Sequence, residues 1–121
     1  MARIERIAPL LPANDMIRSI AWYQAHLGFT LIFADDESAP TYAGLMRDGG
    51  EIHLFRHRVD PKSSNWMCYL RVRAIDALYE TLSKDDLIHP NGSLTTKSWG
   101  QREFAVLDPN GTLQTFGEAA D

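Results

Sequence analysis

Four histidines, one cysteine and the acidic run Asp35-Asp36-Glu37 are the groups in this chain whose types suit acid–base, nucleophilic or metal chemistry. His53 and His57 are four residues apart, the spacing that puts two imidazoles on one face of a helix. Residues 51–56 read as a strand, however, and in a strand four residues separate the rings by roughly 13 Å, too far to share an ion. A groove-lining or core place is expected for His53 and a surface place for His57. His26 falls in the last turn of an expected helix, where a cation suits the dipole. His89, before Pro90, reads as loop surface. Cys68 falls in an expected strand, where a buried inert thiol is the default reading. Asp35 to Glu37 read either as paired acids or as a solvated turn. No Gly-x-Ser-x-Gly elbow, phosphate loop or dinucleotide fingerprint occurs, and Gly49-Gly50 is a hairpin turn with no helix after it. No catalytic residue is assigned.

The aromatic side chains suit binding better than catalysis. Trp22, Tyr23, Phe29, Tyr79 and Phe116 are expected to pack helices onto sheets. Phe33, Tyr42, Phe55, Trp66, Trp99 and Phe104 fall at strand ends or in loops. Trp99 sits between Ser98 and Gly100, a better ligand platform than a core filler. Flat aromatic faces stack on heteroaromatic rings and attract cations. Asp35, Asp36, Glu37 and Asp60 would favour a cationic partner by steering and pairing. Arg102-Glu103 reads either as part of the groove or as an internal ion pair.

These residues need elements to hold them. Ile4 to Leu11 reads as an edge strand or one leaving its sheet, because Pro9 and Pro12 give no N–H to a ladder. Asn14 or Asp15 caps a helix with Ile17, Ile20, Ala21, Tyr23 (or Gln24) and Leu27 at helical spacing, and Gly28 stops it. Strands follow at Phe29 to Ala34, Thr41 to Arg47 and Glu51 to Arg56, the last two flanking the turn Asp48-Gly49-Gly50. Arg58 to Asn65 is polar and turn-rich, the best internal boundary. The order then repeats. Trp66 to Val72 is a strand, and Ala74 to Ser83 a helix with Ile75, Leu78, Tyr79 and Leu82 on one face. Leu94 to Lys97, Arg102 to Leu107 and Thr112 to Phe116 are strands, the last two around Asp108-Pro109-Asn110-Gly111. The expected fold class is α+β: a single domain, 1–121, built from two βαβββ modules at about 1–58 and 66–121. Each half is too short to enclose a cavity alone.

Composition narrows the function further. With 121 residues, 45% of them hydrophobic, the chain has one domain's worth of sequence and a real core. A net charge of −4 argues against nucleic acid as a partner, because phosphate binding needs a basic face. No apolar run is long enough for a membrane span. A lone cysteine rules out an intramolecular disulfide and points to a reducing, cytoplasmic compartment.

The stretch Pro9-x-Leu11-x-x-x-Asp15-x-x-x-Ser19-x-x-Trp22-Tyr23-x-x-x-Leu27-Gly28-Phe29 resembles the vicinal oxygen chelate superfamily of glyoxalases, bleomycin resistance proteins and extradiol dioxygenases. Trp99-Gly100-x-Arg102-Glu103-Phe104-x-x-x-Asp108-Pro109-x-Gly111 resembles its bleomycin-resistance branch, and Val72, Asp76, Leu78 and Tyr79 fit that branch's second helix. The resemblance runs from Ile7 to Gly117. It implies paired βαβββ modules whose curved sheets form cups, in a homodimer with grooves lined by both chains. It also implies a first strand exchanged between subunits, with Pro9 at the hinge, although Pro9 equally marks an edge strand.

The superfamily's metal ligands fall by position on Ala8, His53, Met67 and Thr115, a set that holds at most one good donor. No metal and no cofactor is therefore expected. The function implied is capture of a planar cationic drug-like molecule such as bleomycin, sequestered without chemistry. The alternative is a metal-dependent lyase or dioxygenase built on His53. The ligand-binding residues expected are Phe33, Asp35, Asp36, Tyr42, His53, Phe55, Trp66, Trp99, Arg102 and Phe104. One departure from the branch pattern stands out: its aromatic just after the acidic turn is replaced here by Ser38, Ala39 or Pro40, with Tyr42 as a substitute.

Overall fold

A computed structural model describes residues 1–121. Local chemistry fixes the first helix, α1 (Met16–Leu27). The Asp15 carboxylate accepts from the Arg18 N–H at its start, and Gly28, with φ 69°, closes its end. Its buried face is Met16, Ser19, Ile20, Tyr23 and Leu27. The face expected from apolar spacing is thus rotated: Ile17 is exposed, and Ser19 is buried because it accepts a hydrogen bond from Asn110.

Around α1 lie β1 (Leu10–Ala13), β2 (Thr30–Ala34), β3 (Tyr42–Arg47) and β4 (Gly50–Arg56). The second half follows the same order with β5 (Met67–Arg71), α2 (Ile75–Lys84), β6 (Thr95–Thr96), β7 (Gln101–Leu107) and β8 (Leu113–Ala119). The result is two four-stranded mixed sheets, ordered β1-β4-β3-β2 and β5-β8-β7-β6, with β1 and β5 as parallel edge strands. The α+β fold of two βαβββ modules expected from the sequence is the one observed.

The first strand differs from expectation. It runs from Leu10 to Ala13, contains Pro12, and leaves Ile4 and Ile7 exposed. Pro9 still accepts from the His53 N–H through its carbonyl, so ladder pairing begins at the proline. Proline at 12 is tolerated because β1 is an edge, where a missing N–H costs no ladder bond on the open side.

The helix-side faces of both sheets share one core. Leu11, Leu45 and Leu54 of the first module and Ile75, Leu82, Phe104, Val106 and Phe116 of the second belong to a single buried cluster. Hydrogen bonds lock the modules together where Tyr23 of α1 meets the β7–β8 turn. Tyr23 donates to Asp108 at 2.5 Å and accepts from Gln114 at 2.8 Å, while Asn110 accepts from the Asn14 N–H at 2.9 Å. Asp108 also accepts the N–H groups of Asn110 and Thr112, which shapes the turn. The second helix borrows its cap from β8: Glu118 accepts the N–H groups of Ala74 and Ile75, two of the donors a helix start leaves free.

The linker between modules packs on the same turn. Gly111 has φ +79°, and a Cβ there would run into the Pro61 backbone. Gly111→Ala combines left-handed strain with a clash that only linker movement relieves. It is expected to destabilise the fold by about 2 kcal/mol or more, read by denaturant unfolding. An unchanged midpoint would contradict this packing.

Candidate functional site

Strand alternation gives each sheet a second face, turned away from the helices. On the first sheet that face carries Tyr42, Gly44, Glu51, His53 and Phe55. The register sets Tyr42 opposite Phe55 and Gly44 opposite His53. Phe33 joins them through a bulge in β2, where Leu31 faces Leu45 but Phe33 faces Gly44. The extra residue moves Phe33 from the core side to the outer side. Its ring lies on Gly44, where a Cβ would collide with it, and it stacks on Tyr42 at 6.2 Å and 18°. It also meets His53 edge-on at 5.3 Å. Phe55, His57 and Trp66 extend the row, with Phe55 to Trp66 at 5.8 Å.

Beneath these rings runs a polar chain. His53 pairs through Nε2 with Glu51 at 2.6 Å and through Nδ1 with the Tyr42 hydroxyl at 2.6 Å. Arg6 donates to the other Glu51 oxygen at 3.1 Å. His53 and Arg6 hold the Glu51 carboxyl below the usual carboxylate range. A neutral ring that donates from Nε2 to Glu51 accepts at Nδ1 from Tyr42, so both ring nitrogens are engaged.

The second sheet repeats the device of a ring laid on a glycine. Tyr69 of β5 covers Gly117 of β8, where a Cβ would meet its hydroxyl. Tyr69 donates to Glu103 at 2.8 Å, and the indole N–H of Trp99 donates to the same oxygen at 3.0 Å. Trp99 is 65% exposed, a flat apolar plate held by one polar edge.

The expected site residues divide into three groups. Phe33, Tyr42, His53, Phe55 and Trp66 share the outer face of the first sheet, and Trp99 stands on that of the second. Asp35 and Asp36 form the β2–β3 turn beyond Phe33. The side chain of Thr41, then its N–H, holds the Asp35 carboxyl down at about 2, and Ser38 lowers Asp36 in the same way. Both carboxylates thus fasten their own turn, and neither has a cationic partner within the chain. Arg102 and Phe104 lie on the other side of β7 and do not line this surface. Arg102 forms a two-pronged pair with Asp76 of α2 at 2.6 and 2.8 Å. Phe104 is 1% exposed, between Tyr79 and Phe116. The motif Trp99 to Phe104 reads as one unit in sequence, but alternation along β7 sends its members to opposite faces.

Sequence reasoning overlooked Tyr69, Glu51, Arg6, Gly44 and Gly117. The glycines were the available signal, since a glycine inside a strand marks a close approach by another group. The remaining sequence candidates are structural. His26 pairs with Asp85 at 3.4 Å, His89 accepts from the Asn91 N–H, and Cys68 is half-buried, which raises its thiol pKa.

The donor set does not fit a divalent ion. Ala8 and Met67 offer no hard donor and Thr115 only a weak one, His53 is engaged at both nitrogens, and no three His, Cys, Asp or Glu side chains converge. A concavity reaches both Glu51 of the first sheet and Tyr69 of the second. It is an open cleft of about 1100 Å³ between the modules, with Leu27, Phe29, Cys68, Leu70 and Phe116 among its walls. No helix is long and apolar enough to cross a membrane.

Residues 3–116 match the Glyoxalase/Bleomycin resistance protein/Dioxygenase superfamily. The chain is 33% identical over 125 residues to a bleomycin resistance protein of Geobacillus stearothermophilus, covering 89% of this chain and 92% of that one. A bleomycin resistance determinant encoded on the transposon Tn5 superposes with TM-score 0.81 at 25% identity, over 94% of this chain and 97% of that one. The bleomycin-binding protein of bleomycin-producing Streptomyces verticillus, complexed with copper(II)-bleomycin, superposes with TM-score 0.77 at 26% identity, over 100% and 99%.

Proposed function

The chain belongs to the glyoxalase/bleomycin resistance protein/dioxygenase superfamily, and from that premise we propose that it captures bleomycin or a closely similar planar, cationic drug and holds it without altering it. One observation carries the reading: aromatic rings lie over glycines on the outer face of each sheet, Phe33 over Gly44 and Tyr69 over Gly117, with Trp99 beside Tyr69. A planar heteroaromatic tail gains stacking area on such faces, and the acidic turn at Asp35 and Asp36 attracts its charge.

Two copies make the groove. Each sheet's ring-bearing face points outward from its own core, so a single chain has half-grooves. Leu10, Phe33, Met67, Tyr69, Trp99 and Leu107 are each at least 40% exposed there. An apolar face of this extent is typical of an interaction surface. In the homodimer the first sheet of one chain faces the second sheet of the other. The segment before Leu10 leaves Ile4 and Ile7 exposed, and Pro9 is the hinge about which it would exchange its Arg6–Glu51 contact for the same contact on the partner. Sedimentation should give twice the 13.7 kDa chain mass. A monomer at micromolar concentration would remove the shared groove.

Capture and chemistry separate cleanly by experiment. Bleomycin incubated with the protein, then released by unfolding, is expected to return with unchanged mass. A modified drug would refute sequestration and favour the metal-dependent lyase or dioxygenase reading.

A further inference from the structure

We propose that the Glu103 carboxylate is a cation-recognition point in the groove, and that it selects ligands carrying a positive group next to a planar ring. The proposal rests on the ligand-capture reading above and adds a charge requirement set by one residue.

Glu103 is 7% exposed, yet it lies on the ligand side of β7. Its chain neighbours Arg102 and Phe104 point to the other side, one to Asp76 and one to the core. Its two hydrogen-bond donors, the Tyr69 hydroxyl and the Trp99 indole, are both neutral and both reach Oε2. Oε1 takes no hydrogen bond from the chain and is the oxygen left for a ligand. No Lys, Arg or His nitrogen lies within 4.0 Å of the carboxylate.

Asp108, 4% exposed, also lacks a cation, but both its oxygens accept hydrogen bonds and neither is left over. Glu51, on the matching face of the first sheet, has both Arg6 and His53. Asp76, 70% exposed, has Arg102. Arg71 is on the same face as Glu103, but it gives its Nη1 to Gln101 at 3.0 Å and lies 6.0 Å from the Tyr69 ring centroid. A buried carboxylate without a cation is costly, and closing the groove would bury it further. A ligand cation removes that cost.

The surroundings suit such a cation. Glu103 faces Gly117 in the register, so no side chain from β8 stands between the carboxylate and the groove. A cation seated at Oε1 meets a negative charge flanked by the Trp99 and Tyr69 rings, so ion pairing is joined by contact with their apolar surface. Because Trp99 bonds the same carboxylate, its fluorescence reports the event.

The test uses the full chain and a matched pair of probes, 1-naphthylmethylammonium and the uncharged 1-naphthalenemethanol, titrated by tryptophan fluorescence and calorimetry. The wild type is expected to prefer the ammonium by about 10-fold or more, as befits a charged hydrogen bond in a partly dry site. Glu103→Gln should abolish that preference while leaving the alcohol within about twofold. Glu103→Asp, which keeps the charge, should retain it. Equal affinities in the wild type, a preference surviving in Glu103→Gln, or equal weakening of both probes would overturn the proposal. The last result would mean that Glu103 only positions Trp99. Bleomycin distinguishes the two readings. A chain that ignores bleomycin but loses ammonium preference in Glu103→Gln keeps the subsite and loses the drug. A chain whose Glu103→Gln variant binds bleomycin as tightly as the wild type keeps the drug and loses the subsite.

Discussion

Trp99→Ala is expected to weaken bleomycin binding by about 10- to 100-fold, the range that stacking of one heteroaromatic ring on an aromatic side chain supports. The same variant should melt within a few degrees of the wild type, since substitutions at exposed sites change stability little. Trp99 is 65% exposed, and its single anchor is the bond to Glu103. Removing the indole should therefore cost ligand contact far more than folding. Titration followed by calorimetry checks the affinity, and a thermal melt checks the fold. An affinity equal to that of the wild type would show that the drug does not touch this face. Trp22 is the natural control: it packs against the core and should not report binding.

Asp108→Ala is expected to destabilise the chain by on the order of 3 kcal/mol, because it leaves several buried groups unpaired at once. The carboxylate accepts from the Tyr23 hydroxyl and from two backbone N–H groups, at 4% exposure. A loss of that size lowers the melting temperature by about 10 °C in a domain of this length. The two modules meet through this residue, so the loss should appear as one cooperative shift of both. A melting temperature equal to the wild type would contradict the role given to the turn. Charge adds a pH signature. Burial raises the Asp108 carboxyl above the usual value, so the folded chain binds this proton at a higher pH than the unfolded chain. Its contribution to stability falls as pH rises through that window, and Asp108→Asn should remove this part of the pH profile.

Periodicity and turn chemistry made most of the fold legible in the sequence. Asp15, Gly28 and the hairpin turns at Asp48-Gly49 and Asn110-Gly111 each have one local solution, and the structure adopts it. The first strand was misplaced because Pro9 and Pro12 look alike in sequence, whereas in the fold only the open edge of β1 decides which one is tolerated. The aromatic surface was legible as a set of residue types but not as a surface. Which face Phe33 takes depends on a bulge between Leu31 and Phe33, and nothing in Thr30 to Ala34 announces it. Phe104 and Arg102 were assigned to the groove by adjacency to Trp99, while a strand's period of two sends Phe104 inward and Arg102 to Asp76. Glu103, between them, faces the side of the sheet on which Trp99 stands. Tyr69 was hidden in an unremarkable strand, and the glycine beneath it lay 48 residues away in sequence.

A calorimetric titration of bleomycin into the chelator-treated chain, with tryptophan fluorescence recorded in parallel, tests the central claim most directly. Saturable heat with one drug per chain and quenching of Trp99 is the result expected. No heat and unchanged fluorescence at high micromolar drug, or binding that returns only when a divalent metal is added to the protein, would contradict it.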